Sequence, residues 1–122
     1  MTTVAVWTAV PLIGGLGAVL RLVVDRTVSR RVNSAFPYGT LVVNISGALL
    51  LGFLAGLALP PHLALLTGTA FVGSYTTFST WMLETHRLGE ERQLGSAVAN
   101  IGVSLVLGLA AAACGLWLGT SL

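Results

Sequence analysis

The sequence has no lysine, and only ten of its 122 residues carry a formal charge: six arginines and four aspartates or glutamates. A soluble domain of this size draws roughly a quarter of its residues from the charged set to cover its surface. The scarcity therefore excludes an ordinary soluble fold. It also excludes disorder, because disordered chains are charge-rich and poor in large apolar side chains, whereas 55% of this chain is apolar. The single cysteine, Cys114, has no intrachain partner for a disulfide and lies in an apolar run, where it reads as a small buried hydrophobe. A net charge of +2 is too small to point to nucleic acid. The class left is an all-α integral membrane protein, with residues 1–122 forming one compact transmembrane domain.

A bilayer core of about 30 Å needs about 20 apolar residues in a helix. Four stretches supply them, at about residues 4–24, 39–59, 63–83 and 95–118. The first lacks the basic region of a signal peptide and is too long for one, so it reads as a crossing. Phe36-Pro37-Tyr38-Gly39 reads as the turn that starts the second helix. Pro60-Pro61 ends that helix, since proline lacks the N–H and clashes with the preceding turn.

The charges fall into two clusters. Arg21, Asp25, Arg26, Arg30 and Arg31 follow the first crossing, and Glu84, Arg87, Glu90, Glu91 and Arg92 follow the third. Four crossings put both clusters on one face and both termini on the other. Setting aside Arg21, which lies inside the first helix's last turn, five arginines stand on one face against none on the other. The positive-inside rule makes the arginine face cytoplasmic. Small residues recur at helical spacing, Ala48, Gly52 and Gly56 on the second helix and Ser104, Gly108 and Ala112 on the fourth. Such faces let membrane helices approach closely. A chain this small is short for a complete transport path, which implies an oligomer.

Polar side chains in hydrocarbon are costly and need partners. Asn44 admits two readings, an interhelical hydrogen bond or a donor in a pore. The third crossing carries Gly73-Ser74-Tyr75-Thr76-Thr77-Phe78-Ser79-Thr80-Trp81. Glycine and consecutive β-branched threonines weaken a helix near mid-membrane. A break there would free backbone carbonyls suited to an alkali cation and N–H groups suited to an anion. The alternative is a continuous helix whose hydroxyls bond back to the preceding turn. Asn100, Ser104 and Gly108 form one narrow stripe on the fourth helix, although Asn100 could equally be interfacial. Asp25 and Glu84 lie at helix ends, so no carboxylate sits at mid-depth for a proton-coupled exporter.

These motifs are where the sequence resembles a known family. Gly14-Gly15-Leu16-Gly17-Ala18 with Arg21, then Tyr38-Gly39-Thr40-Leu41-Val42-Val43-Asn44 with Gly47, then Gly68 through Ser79 ending in Thr76-Thr77-Phe78-Ser79-Thr80, resemble the CrcB, or Fluc, family of fluoride channels. The resemblance implies a fluoride-selective channel of the cell membrane, not an enzyme, that lets the ion leave passively. It also implies an inverted, antiparallel dimer with a third helix broken near its middle. A structural sodium ion would be held by the backbone carbonyls of Gly73 and Thr76 from both subunits. The fluoride pathway would comprise Asn44, Phe78, Ser79, Thr80, Trp81, Asn100 and Ser104, with Arg21 and Glu84 at its mouth or vestibule. Donors from Asn and Ser/Thr side chains could replace fluoride's water, and an aromatic edge can face an anion.

The chain departs from the family pattern at Ser74, Trp81, Asn100 and Gly108. Its one-sided arginines also strain an inverted homodimer, which inserts both ways. They raise the alternative of one half of a heterodimer, completed by a related subunit of opposite bias. Three further alternatives are a small multidrug exporter, which would need a carboxylate in the first helix, a non-transporting assembly subunit, and a chloride or general anion channel.

Overall fold

The computed structural model describes residues 2–122, and among them all regular structure is helical. Helix α1 spans Thr3–Arg31. Thr2 caps it, its hydroxyl oxygen accepting from the Ala5 N–H at 3.2 Å, which satisfies one of the orphan donors of a helix start. The helix passes through Pro11 and continues beyond Val24, where the predicted crossing ended. No glycine or proline interrupts residues 25–31, and Arg30 and Arg31 in the last turn complement the negative end of the helix dipole. At about 1.5 Å per residue the helix is roughly 44 Å long, more than the hydrocarbon core requires.

Helix α2 covers Tyr38–Leu57. Its entry turn closes with the Tyr38 N–H on the Phe36 carbonyl at 2.9 Å. It ends at Ala58 in the left-handed region, φ 51°, two residues before Pro60-Pro61. Pro61 then opens the short α3, Pro61–Ala64, at a position where its missing N–H costs nothing. A π-helical segment follows at Leu65–Val72, then α4 at Gly73–Tyr75. Thr76 is extended, with φ −79° and ψ 162°. Helix α5 runs Ser79–Glu90 and α6 runs Leu94–Thr120. Arg92, at φ 58°, makes the turn between them, and the Gln93 N–H closes it on the Leu88 carbonyl at 2.8 Å. The π winding had no counterpart in the sequence reading, which placed residues 63–83 in a single crossing.

Helices α1, α2 and α6 are each long and apolar enough to cross a membrane. Their outward faces are apolar: Leu12 and Leu109 are each 71% exposed. Cys114 lies on this outer surface and not in the interior expected of it.

Helix α2 packs most extensively on α6. Gly52 and Gly56 form its contact face, as their spacing predicted, but the facing surface of α6 is Ala112, Gly115 and Gly119. A Cβ on Gly115 would collide with the Leu49 carbonyl, and one on Gly119 with the Phe53 carbonyl. Of the small residues expected to pack on α6, Ala112 lies in this contact, which continues through Gly115 and Gly119 and not through Ser104 and Gly108. Gly108 has only the tip of Ile45 nearby, at 3.8 Å. Helix α1 packs against the π segment and α4, with Gly17 lying against the Phe71 carbonyl.

Candidate functional site

Helix α2 delivers Asn44 to the point where the third helical region stops being helical. The amide makes a two-point contact with the backbone of Thr77: Nδ2 donates to the Thr77 carbonyl at 2.9 Å, and the Thr77 N–H donates to Oδ1 at 2.8 Å. A backbone group unpaired in a low-dielectric interior costs several kcal/mol, on the order of what a lost hydrogen bond costs in hydrocarbon. Asn44 supplies what the helix does not.

This contact redirects the hydrogen bonds of the segment. In a continuous helix the Thr77 N–H would bond to the Gly73 carbonyl, and the Thr80 N–H to the Thr76 carbonyl. Here the first goes to Asn44, and the second goes to the Thr77 hydroxyl oxygen at 3.1 Å. The Thr77 side chain thus acts as the cap of α5. The carbonyls of Gly73 and Thr76 are released from their helical partners. The Thr76 hydroxyl does bond back to the Val72 carbonyl at 3.0 Å, so both habits expected of the hydroxyl run occur side by side.

A groove of about 340 Å³ opens beside this segment, walled by Asn44, Thr76, Phe78, Trp81, Ser104 and Gly108 among others. Phe78 is 70% exposed and meets Trp81 edge-on, with ring centroids 5.8 Å apart and planes at 82°. Gly73 lies elsewhere, on a second groove of about 460 Å³ with Gly68 and Leu51, and Thr76 borders both. The Ser104 hydroxyl is buried without a hydrogen-bond partner. Ser79 and Thr80 open α5 and are not among the residues that line the groove; the Ser79 hydroxyl lies 3.5 Å from that of Thr77.

Asn100 is not on that wall. It is 1% exposed and buried between α5 and α6. Its Nδ2 donates to the Thr85 hydroxyl at 2.8 Å and to the Trp81 carbonyl at 3.4 Å, while its own backbone carbonyl accepts from the Trp81 indole N–H at 3.0 Å. Trp81 therefore spends its donor on α6. Arg21 sits on α1 with a buried Nε that has no partner. Glu84 accepts from the Thr40 hydroxyl, tying α5 to the start of α2.

Sequence reasoning missed three members of this network. Thr77, inside the recognised hydroxyl run, is the cap and the partner of Asn44. Thr85 and Thr40 pair with Asn100 and Glu84. A threonine four residues after Trp81 was the only available hint of Thr85. The hydrogen bond between Ser46 and the Tyr75 hydroxyl, at 2.9 Å, was likewise invisible, because it joins two helices at arbitrary sequence separation.

The long apolar helices, the apolar exterior and this polar groove define a multi-pass helical membrane protein. The chain belongs to the CrcB family: residues 8–116 match the model described as CrcB-like protein, Camphor Resistance (CrcB). It is 71% identical over 116 residues to the "Fluoride-specific ion channel FluC 2" of Mycobacterium tuberculosis (strain ATCC 25618 / H37Rv), covering 95% of this chain and 92% of the relative. A protein of the same name from Mycolicibacterium paratuberculosis is 72% identical over 115 residues, covering 94% of each chain. "Fluoride-specific ion channel FluC 1" of Leifsonia xyli subsp. xyli is 44% identical over 115 residues, covering 91% of this chain and 84% of the relative. The family is one of ion channels and not of enzymes, which disfavours the exporter and assembly-subunit alternatives.

Proposed function

We propose that this chain is the subunit of a fluoride-selective channel of the cell membrane, through which fluoride leaves passively. The observation that carries the reading is the contact of Asn44 with Thr77 beside a groove walled by donors and aromatic edges, in a chain whose relatives are named for fluoride. Fluoride is small and strongly hydrated, so its path must replace water with close donors. Asn44 keeps a second N–H after serving Thr77, and Ser104, Ser79 and Thr80 carry hydroxyls. Phe78 and Trp81 offer ring edges, where the quadrupole is positive. Asn100, Arg21 and Glu84 flank this path and shape its ends.

The channel is a dimer of inverted subunits, broken at Thr76–Phe78 in the third crossing of each. The second subunit is another copy of this chain or a related chain of opposite charge bias. The family match does not favour the heterodimer over the simpler assembly. A sodium ion fits the donor set at the dimer centre, because the carbonyls of Gly73 and Thr76 have lost their helical partners to Asn44 and Thr77 and are hard oxygen ligands. When bound, such an ion places a fixed positive charge beside the anion path without moving itself.

The test is fluoride efflux from liposomes containing the purified chain, followed with a fluoride electrode. Efflux of fluoride well above that of chloride is expected. Equal passage of the two ions, or none by this chain with or without a related subunit, would sink the proposal.

A further inference from the structure

Tyr75, Thr76 and Thr77, three successive residues at the break, each meet α2. Asn44 holds the Thr77 backbone. A Cβ on Gly47 would collide with the Thr76 methyl, so only a glycine there lets Thr76 sit this close. The Ser46 hydroxyl meets the Tyr75 hydroxyl at 2.9 Å. Chemistry decides the direction of that last bond. Ser46 gives its hydrogen to the Val43 carbonyl at 3.1 Å, and a carbonyl is acceptor only. Tyr75 is therefore the donor and Ser46 the acceptor. The Tyr75 ring is buried, stacks on Phe71 with the planes at 4°, and lies against Gly47. Neither Tyr75 nor Ser46 lines the two grooves beside the break, whereas Thr76 borders both.

These contacts fix one peptide plane. The peptide bonds are trans among the described residues, so the Thr76 carbonyl points opposite to the Thr77 N–H. That N–H is aimed at Asn44 Oδ1, which turns the Thr76 carbonyl away from Asn44. On the other side, the Thr76 N–H and hydroxyl both bond to the Val72 carbonyl at 3.0 Å and tie Thr76 to its own helix. The Tyr75–Ser46 bond then ties the end of that helix to α2, two residues from Asn44. We infer that Tyr75, held by Ser46, is a positioning residue for a cation at the Gly73 and Thr76 carbonyls: it sets the helix end against the amide that aims the Thr76 carbonyl. A carbonyl aimed in advance loses less freedom on binding than one that must be ordered. The inference rests on the sodium reading given above and adds to it two side chains that act only through Thr76.

The experiment compares the full chain with Tyr75→Phe, Ser46→Ala and the double variant. The thermal midpoint in detergent is followed while sodium replaces N-methylglucamine at constant ionic strength, and liposome efflux of fluoride is followed over the same sodium range. A cation that binds the folded protein raises its midpoint with concentration. Tyr75→Phe removes the donor and should raise the sodium needed for half of that rise by about fivefold to tenfold, the scale of one buried hydrogen bond. The sodium dependence of efflux should shift by the same factor. Ser46→Ala should match it, and the double variant should be no worse than either single one, since all three remove the same bond. A midpoint lowered equally at every sodium concentration, with its sodium dependence unchanged, is a structural effect alone and overturns the positioning role. Shifts that add in the double variant overturn the pairing. A midpoint indifferent to sodium in the unsubstituted protein removes the cation reading itself, and this inference with it.

Discussion

Asn44 serves the backbone before it serves any ion. Its two bonds to Thr77 stand in for the helical bonds that the third region gives up. Asn44→Ala should leave a buried N–H and a buried carbonyl unsatisfied, at roughly 1–3 kcal/mol each. The expected outcome is a lower thermal midpoint in detergent together with loss of fluoride efflux. Asn44→Asp keeps the acceptor for the Thr77 N–H but loses the donor to its carbonyl, so it should fold better than Asn44→Ala and still fail to conduct. An Asn44→Ala variant with unaltered midpoint and flux would contradict this assignment. The residue was legible in the sequence as a polar group that needs a partner. Its partner was not, because a side chain bonding to a backbone leaves no pattern in residue identity.

At the scale of elements, the glycines separate into those that carry packing and those that do not. Gly115 and Gly119 sit against carbonyls of α2, whereas Gly95 and Gly102 have nothing within 4 Å of a Cβ position. Gly115→Val or Gly119→Val should force α2 and α6 apart and abolish a monodisperse peak in size-exclusion chromatography. Gly102→Ala should be neutral or stabilising by about 0.5–1 kcal/mol, the ordinary gain from replacing a helix-interior glycine. The crossings themselves were readable, since long apolar runs and the Pro60-Pro61 pair are local signals. Residues 104, 108 and 112 have the same small-residue spacing as 115 and 119. Spacing alone cannot choose between faces of one helix or name the helix that each face meets, so Ala112 was legible as a packing residue while Gly115 and Gly119 were not. The outward extension of α1 was missed for a related reason: hydropathy marks where the membrane stops, not where the helix does.

For the whole molecule, two expectations concern charge. If the arginines of α1 share one face with Arg87 and Arg92 at the end of α5, as four crossings require, reporter fusions should place both termini on the opposite side, outside the cell. Moving the bias by adding two arginines near residue 2 should produce mixed or reversed orientation in the same assay. The second concerns the cation. Replacing all sodium by a bulky organic cation during purification should abolish efflux, and returning sodium should restore it. Flux indifferent to sodium would remove the role proposed for the Gly73 and Thr76 carbonyls while leaving the anion path standing.

The π segment at Leu65–Val72 acts on the molecule as a phase shifter. Bonding from i to i+5 puts about one residue more in each turn than α winding does. Residues after Val72 therefore emerge at a different angle around the axis from the one a regular helix starting at Pro61 would impose. Thr77 meets Asn44 at that accumulated angle. Deleting a single residue within the segment would swing everything downstream by roughly 80°, one step of a helix with about one residue more per turn than the α-helix. Every donor, ring and carbonyl of the pathway would still be present in the chain, and the rotation alone would take them out of the groove.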